Sequence, residues 1–213
     1  MGSGDGDDET VMSPAESLAV IERQKAETSK RLGGDPLPFF LAWGLAWLVG
    51  FGAFFLRLGL DGRAYVNISR GACLVTLFVS LALAMAFTAL LAWRQGSQVR
   101  GASQERGTMY GLSWSVGFVT MTGIAVRAGK DLPEAESYLL WASLSMLVVC
   151  LLFMAGGAVF GTRPMFAVGV ALAAVNLLGV VLGPGWHALL ASVVVGGGFI
   201  VIGGVLRLRG VTL

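Results

Sequence analysis

Charged residues are scarce in this chain of 213 residues: only 13% are Asp, Glu, Lys or Arg, where soluble domains carry roughly 25%. Histidine occurs once and cysteine twice, while 55% of the residues are hydrophobic. So few charges cannot cover the surface of a water-soluble domain of this length. The composition therefore excludes an ordinary soluble protein and indicates a chain that lies largely in lipid.

Charged side chains are missing from six runs of about 18 or more residues, the length that a helix needs to cross a bilayer. A charged residue at the bilayer centre costs roughly 2.5 to 3.5 kcal/mol, so such gaps mark the segments that lie in lipid. The runs are too long for barrel strands, and a helix satisfies its own backbone hydrogen bonds in lipid. The predicted spans are Phe39–Leu56, Ala72–Trp93, Gly107–Val126, Ser137–Phe160, Pro164–Leu182 and Trp186–Leu206.

One membrane domain accounts for most of the chain, because the six spans leave no room for a globular domain of ordinary size. The separation of spans five and six rests on the turn Gly183-Pro184-Gly185 alone. Without a turn there, the pair would be about twice the length of one crossing. The sequence thus predicts an all-α fold, a polytopic bundle of six transmembrane helices with a short N-terminal cytoplasmic helix.

The distribution of positive charge predicts how this bundle is oriented. Ten of the fifteen Lys and Arg residues lie on the side of the N terminus, and five lie on the opposite side. Lys and Arg accumulate on the cytoplasmic face of membrane proteins, so we expect both termini to be cytoplasmic. No cleavable signal is visible before the first span, which we expect to act as an uncleaved signal.

The residues before the first span carry signals for a short helix. Ser13 suits the N-cap, Pro14 the first helical position, and Glu16 completes a capping box with Ser13. Gly33 supplies a stop directly after Leu32. We expect a solvated helix near the membrane surface, and the alternative is a docking helix for a cytoplasmic partner.

The chain divides into three parts on this interpretation. Residues 1–12 are an acidic, Gly-rich tail that we expect to be disordered. Residues 13–34 form the cytoplasmic juxtamembrane helix, and residues 35–213 form the six-span transmembrane domain. Met12 is an alternative to Met1 as the native start, and the sequence leaves that choice open.

No acid or strong base lies inside a predicted span, which argues against proton-coupled carriers, ion pumps and voltage sensors. The single histidine, His187, follows Trp186 at the start of span six, so we interpret it as an interfacial residue; the alternative is a ligand contact. Cys73 and Cys150 differ in depth and lack a CxxC spacing, which favours packing residues over a disulfide or metal pair. We therefore expect no metal site and no cofactor.

The sequence also lacks two motifs that would indicate catalysis. The run around Ser113 reads GLSWS and lacks the second glycine of a serine nucleophile motif, and no histidine lies on a neighbouring span at a suitable depth. A GxxxxGK[ST] phosphate-binding loop is absent from the sequence. These observations predict a protein that is not an enzyme.

Span three is the most polar of the six. Tyr110, Ser113, Gly117 and Thr120 recur at the spacing of one helix face. Asn176, near the middle of span five, is the only amide at depth and must find a hydrogen-bond partner in the bundle. These five candidate residues have two interpretations that the sequence leaves open, interhelical packing or one wall of a solute pathway.

Many of the 31 glycines lie within or beside the spans. Because lipid gives helices no hydrophobic reason to associate, small residues that allow close backbone approach are the default explanation. The run Gly196–Gly198 in span six carries a further hypothesis, that this helix contains a hinge.

Three stretches, LAWGLAWLVGFGAFFL, ALLAWRQGSQVRG and GGGFIVIGGVLRLRG, together with the capped N-terminal helix, carry a family resemblance. The chain resembles an uncharacterised family of six-span actinobacterial membrane proteins that are loosely labelled transporters or membrane proteins. The resemblance covers nearly the whole chain from Met12 and implies a bacterial plasma membrane. It implies no functional residue.

Two functions are compatible with these patterns. The first is a noncatalytic subunit or regulator of a membrane transport complex, with a cytoplasmic partner such as an ATPase subunit bound through the leader helix and the loop from Arg94 to Arg106. The alternative is a self-contained carrier or channel for a neutral or apolar small solute. Besides the lipid bilayer, a second copy of the chain is a possible partner, and we expect no nucleic acid.

Overall fold

The computed structural model describes residues 13, 15–20, 24, 35–95 and 102–210. Within these ranges six long helices follow one another: α1 (Pro36–Leu58), α2 (Arg70–Gln95), α3 (Ala102–Ala128), α4 (Glu134–Val159), α5 (Arg163–Leu182) and α6 (Pro184–Leu208). Helix α6 is continuous but changes type, from α-helix at Pro184–Leu189 through a π-helical segment at Leu190–Gly196 to α-helix at Gly197–Leu208.

All six helices are long and apolar enough to cross a membrane, which confirms the predicted all-α bundle. Each helix is as long as the predicted span or extends beyond it by up to a few residues, except that α4 ends at Val159 rather than Phe160. The predicted turn between spans five and six is shorter than expected. Only Gly183 is non-helical, with a positive φ of 103°, and Pro184 begins α6, where its missing N–H costs no hydrogen bond.

The six helices pack in the spatial order α2, α1, α6, α5, α4, α3. The most apolar stretches of α1 and α6 are each 33% buried in the bundle, whereas those of α2 and α3 are 6% and 11% buried. Helices α1 and α6 therefore form the centre of the fold, and α2 and α3 lie at its two edges.

Glycine explains how α1 and α6 come so close. A Cβ built on Gly196 would lie 2.6 Å from the backbone nitrogen of Leu48, and one on Gly44 would lie 2.7 Å from the Gly196 carbonyl oxygen. The Ser192 hydroxyl donates to the Leu48 carbonyl oxygen at 2.8 Å, which adds a bond between the two helices at the same level. The expectation that glycines serve close helix packing is confirmed here.

Ion pairs mark the two ends of the bundle. At one end Arg57 of α1 binds Glu134 of α4, with 2.7 Å between Nε and Oε1. At the other end Arg207 of α6 approaches Asp35, the N-cap of α1, at 3.5 Å. We refer to these as the Arg57 end and the Asp35 end. The alternation of the helices is thus as predicted, while the choice of the cytoplasmic face stays a prediction.

Only part of the leader helix falls within the described residues. Ser13 and Glu16 form the predicted capping box: the Ser13 N–H donates to Glu16 Oε2 at 2.9 Å, and the Glu16 N–H donates to Ser13 Oγ at 3.2 Å. The bond from Ser13 lowers the pKa of the Glu16 carboxyl from its ordinary value. Residues 15–20 are helical, whereas the predicted tail at 1–12 and the helix end at Leu32 lie outside the described residues.

Candidate functional site: a buried polar network near the Arg57 end

Polar side chains are few inside the described bundle, and three of them meet at one place. Tyr138 of α4, Asn176 of α5 and His187 of α6 are all buried, with 8%, 8% and 1% of their surface exposed. Each comes from a different helix. Together with the backbone carbonyl of Ser143 they form what we call the polar network.

Three contacts connect the polar network. The Asn176 Nδ2 group donates to the Ser143 carbonyl oxygen at 3.0 Å. His187 Nε2 lies 3.0 Å from Asn176 Oδ1, and His187 Nδ1 lies 3.5 Å from the Tyr138 hydroxyl. The prediction that Asn176 must find a hydrogen-bond partner in the bundle is confirmed.

The direction of these hydrogen bonds follows from the carbonyl at one end. A backbone carbonyl only accepts, so Asn176 must present its NH₂ group to Ser143 and its Oδ1 to His187. His187 Nε2 must then carry a proton and donate to Asn176 Oδ1. In the neutral ring, this is the Nε2–H tautomer, and its Nδ1 accepts from the Tyr138 hydroxyl.

Local structure brings the three residues to the same level. Tyr138 lies in the first turns of α4 and stacks on Phe54 of α1, with 4.7 Å between the ring centroids. Gly179 of α5 faces His187, and a Cβ there would lie 2.9 Å from the His187 Cα atom. The glycine thus lets α5 and α6 approach until Asn176 and His187 touch.

The interpretation of His187 as an interfacial residue is not supported, because its side chain is 1% exposed and bonded inside the bundle. Its neighbour Trp186 is 38% exposed and occupies the outer surface instead. The two adjacent residues point about 100° apart on the helix, so the neighbour of an interfacial tryptophan can face the core. Tyr138 is a functional-site candidate that reasoning from sequence missed, whereas a contact role for His187 was only the alternative to an interfacial one.

An open pocket of about 450 Å³ lies at the Arg57 end. Its walls include Arg57, Glu134 and Glu136 together with the backbone turns at Gly59 and Gly183. The Arg57 guanidinium is engaged on all sides: Nε and Nη2 donate to the Glu134 carboxylate, and Nη1 donates to the Ile68 carbonyl. The pair thus connects α1, the 59–69 loop and α4 beside the pocket.

The candidate residues of span three lie elsewhere. The Tyr110 hydroxyl donates to the Leu152 carbonyl oxygen of α4 at 2.9 Å, and a Cβ on Gly117 would lie 3.1 Å from Val148 Cγ1. Ser113 donates to the Met109 carbonyl of its own helix at 2.9 Å. Ser113 and Thr120 are exposed on the outside of the bundle.

The structure does not bring these four residues together with Asn176. Asn176 contacts α4 at Ser143, whereas Tyr110 contacts α4 at Leu152, nine residues further along the same helix. That spacing corresponds to roughly 13 Å of helix rise. The five residues therefore do not line one continuous surface. Tyr110, Gly117 and Asn176 contact a neighbouring helix, whereas Ser113 bonds within its own helix.

Cys73 and Cys150 are free, buried thiols, in agreement with their interpretation as packing residues. Within the ranges that the structure describes, no three His, Cys, Asp or Glu side chains cluster in a way that suits a metal ion.

Comparison of the chain with protein-family models, with curated proteins and with solved structures gave no match. What the fold defines is the class: the chain is an integral multi-pass membrane protein with a bundle of six helices. The resemblance to a six-span actinobacterial family stays a prediction, as does the bacterial plasma membrane that it implies.

Proposed function

We propose that this protein is a noncatalytic subunit or regulator of a membrane transport complex, and that its two edge helices, α2 and α3, bind the other membrane components. The observation that carries the proposal is the unequal burial of the helices. The edge helices have 6% and 11% of their most apolar stretches buried, compared with 33% for the two central helices.

The outer surface of α3 supports a protein partner over lipid alone. Exposed residues of this helix include Ser115 and Thr122, together with Gly107 and Gly111, at which an added Cβ would meet nothing within 4 Å. Small and hydroxylated residues are the ones through which membrane helices approach and bond to one another. A partner helix can pack closely against these glycines and hydrogen-bond to these hydroxyl groups, whereas lipid acyl chains cannot form hydrogen bonds.

The centre of the bundle supports a role without transport of its own. The polar network is fully bonded, and no buried side-chain nitrogen or oxygen within the described residues is left without a partner. Closely packed glycines join α1 to α6 on the side of the polar network that faces the Asp35 end. A partner such as a cytoplasmic ATPase subunit, bound through the leader helix and residues 94–106 where α2 is joined to α3, would supply the energy that this chain has no motif to provide.

Site-specific photo-crosslinking in native membranes tests the proposal. A photoreactive residue replaces Val119 of α3, which is 73% exposed, and in a matched control it replaces Val181 of α5, which is 74% exposed. We expect Val119 to give a discrete protein adduct, identified by mass spectrometry, that also copurifies with the unmodified chain. Val181 should give lipid adducts only.

The same experiment distinguishes the possible outcomes. An adduct between two copies of this chain shows that the partner is a second copy and that the complex is a homo-oligomer. Lipid adducts alone at both positions, with the chain recovered singly after gentle purification, contradict the subunit proposal. Loss of the copurifying partner after removal of residues 1–34 assigns its cytoplasmic contact to the leader.

A further inference from the structure

The π-helical segment of α6, Leu190–Gly196, separates two regions with different contacts. On one side the short helix Pro184–Leu189 places His187 in the polar network. On the other side Gly196 packs against the backbone of α1. Helices of this type are rare, and single π-turns inside α-helices are frequent at functional sites.

The backbone hydrogen bonds at the end of the π segment are shared between alternatives. The Gly197 N–H lies within bonding reach of the carbonyl oxygens of Ser192, Val193 and Val194, which are five, four and three residues earlier. The first of these bonds is π-helical and the second is α-helical. Only a small displacement is therefore needed to exchange one pattern for the other at this point.

We propose that this exchange allows the short helix Pro184–Leu189 to turn as a unit and to withdraw His187 from the polar network. A π turn holds one residue more than an α-helical path between the same ends. Conversion to α-helix shifts each earlier residue by one position, about 100° of rotation and ~1.5 Å of rise. His187 then takes the position of Trp186, which is 38% exposed, compared with 1% for His187.

Two glycines let the short helix turn, but one backbone contact must open for this motion. Gly179 presents no side chain to His187, and Gly183 joins the short helix to α5 with a positive φ that only glycine adopts freely. A Cβ on Gly185 would overlap the Gly59 carbonyl oxygen, so a side chain brought to this position displaces the turn at Gly59. The open pocket of about 450 Å³ lies beside both glycines. The turn at Gly59 must move into this pocket when Trp186 approaches it.

The polar network thus has two states, and the π segment is the conformational device that exchanges them. In one state His187 bonds to Asn176 and Tyr138, and the helices α4, α5 and α6 are joined. In the other state the ring contacts water at the Arg57 end, and those helices lose their polar connection. The same sequence thus supports a closed and a loosened arrangement at one end of the bundle.

His187 is the only histidine in the chain, so its exposure is measurable by chemical modification. The full chain in lipid nanodiscs is treated with diethyl pyrocarbonate at pH 7.5, and the adduct on His187 is quantified by peptide mass spectrometry. Deletion of Val193, which is 53% exposed, removes the extra residue and restores an α-helix with both ends in place. Val193→Ala, which keeps the length, is the matched control.

We expect wild type and Val193→Ala to be modified at equal rates, and the deletion variant to be modified at least tenfold more slowly. Equal rates in all three, or a wild-type His187 that stays unmodified while the exposed Lys130 reacts, overturn the proposal. If the deletion variant does not fold, amide exchange in the wild type decides. Exchange over residues 190–197 at least tenfold faster than over α5 supports the π segment as mobile, and equal exchange overturns it.

Discussion

Helices α1 and α6 differ from α2 and α3 in what surrounds them, although all four are apolar enough to cross a membrane. The central pair is joined by glycines at backbone distance and by the Ser192 hydroxyl. Each edge helix contacts mainly one neighbour and exposes most of its surface. Hydrophobicity therefore places a helix in the membrane, whereas small residues and buried polar groups decide which helices form the centre.

The largest effect is expected where a glycine of the central pair gains a side chain. In Gly196→Ala the new Cβ would lie 2.6 Å from the Leu48 nitrogen and 3.0 Å from its Cα, and backbone cannot yield as a flexible side chain does. We expect a loss of about 3 kcal/mol in the free energy of unfolding, measured by reversible denaturation in mixed micelles.

Gly111→Ala on the edge helix α3 is the matched control, because an added Cβ there meets nothing within 4 Å. Its unfolding free energy should stay within about 0.5 kcal/mol of wild type or rise slightly, since alanine favours helix. Equal losses for the two variants would remove the distinction between centre and edge.

The next effect concerns the polar network. Asn176→Ala leaves His187 Nε2 without its partner inside the bundle and removes the added bond to the Ser143 carbonyl, which lies in the interior of α4. We expect a loss of about 2 kcal/mol in the free energy of unfolding, because unsatisfied buried groups retain their desolvation cost. Ser113→Ala, whose hydroxyl bonds only within its own helix, should change it by less than about 0.5 kcal/mol. A loss in Ser113→Ala as large as that in Asn176→Ala would show that the polar network contributes no more to stability than a single hydroxyl of α3.

A smaller effect is expected from a single interhelical hydroxyl. Ser192→Ala removes the bond to the Leu48 carbonyl, and we expect a loss of about 1 kcal/mol in unfolding free energy. The comparison is Ser80→Ala on edge helix α2, whose hydroxyl donates to Thr76 of the same helix. No difference between the two serines would show that the bond to α1 contributes nothing.

The smallest effect should come from the ion pair at the Arg57 end. Glu134 is 42% exposed, so solvent and salt screen its attraction to Arg57. We expect Glu134→Gln to lower the unfolding free energy by about 0.5 kcal/mol, and the difference from wild type to shrink in high salt. If Glu134→Gln lowered the unfolding free energy by more than Ser192→Ala does, the exposed ion pair would contribute more to stability than the buried interhelical hydroxyl, contrary to this expectation.

The six spans were predictable because their signal is local. A run of residues without charges predicts a membrane span by itself, because the prediction does not depend on which helices pack against it. The capping box at Ser13 and Glu16 was predictable for the same reason, since both partners lie within one helical turn.

The polar network was only half predictable. Asn176 was identified because an amide at depth must be bonded, but His187 is 11 residues away and Tyr138 is 49 residues from His187. Such pairings depend on the spatial order of the helices, which no local pattern contains. The one available signal was that the only histidine and the only amide at depth lie on consecutive spans joined by a single turn.

The π segment could not be predicted either, although a hinge was suggested at Gly196–Gly198. The irregularity lies earlier, at Leu190–Gly196, and ends where the glycines begin. Its position coincides with the Ser192 bond and the Gly196 contact to α1, which are tertiary interactions. Glycine content alone does not report where a helix changes its hydrogen-bond pattern.

Oxidative cross-linking of cysteine pairs in membranes tests the helix order most directly. A Cβ on Gly52 of α1 lies 3.3 Å from Ser192 Oγ, close to disulfide distance, so Gly52→Cys with Ser192→Cys should form a bond within one chain. Val79→Cys on α2 with Val119→Cys on α3, both outward-facing, should not. An efficient intramolecular bond in the second pair, or its absence in the first, would contradict a bundle centred on α1 and α6 with α2 and α3 at opposite edges.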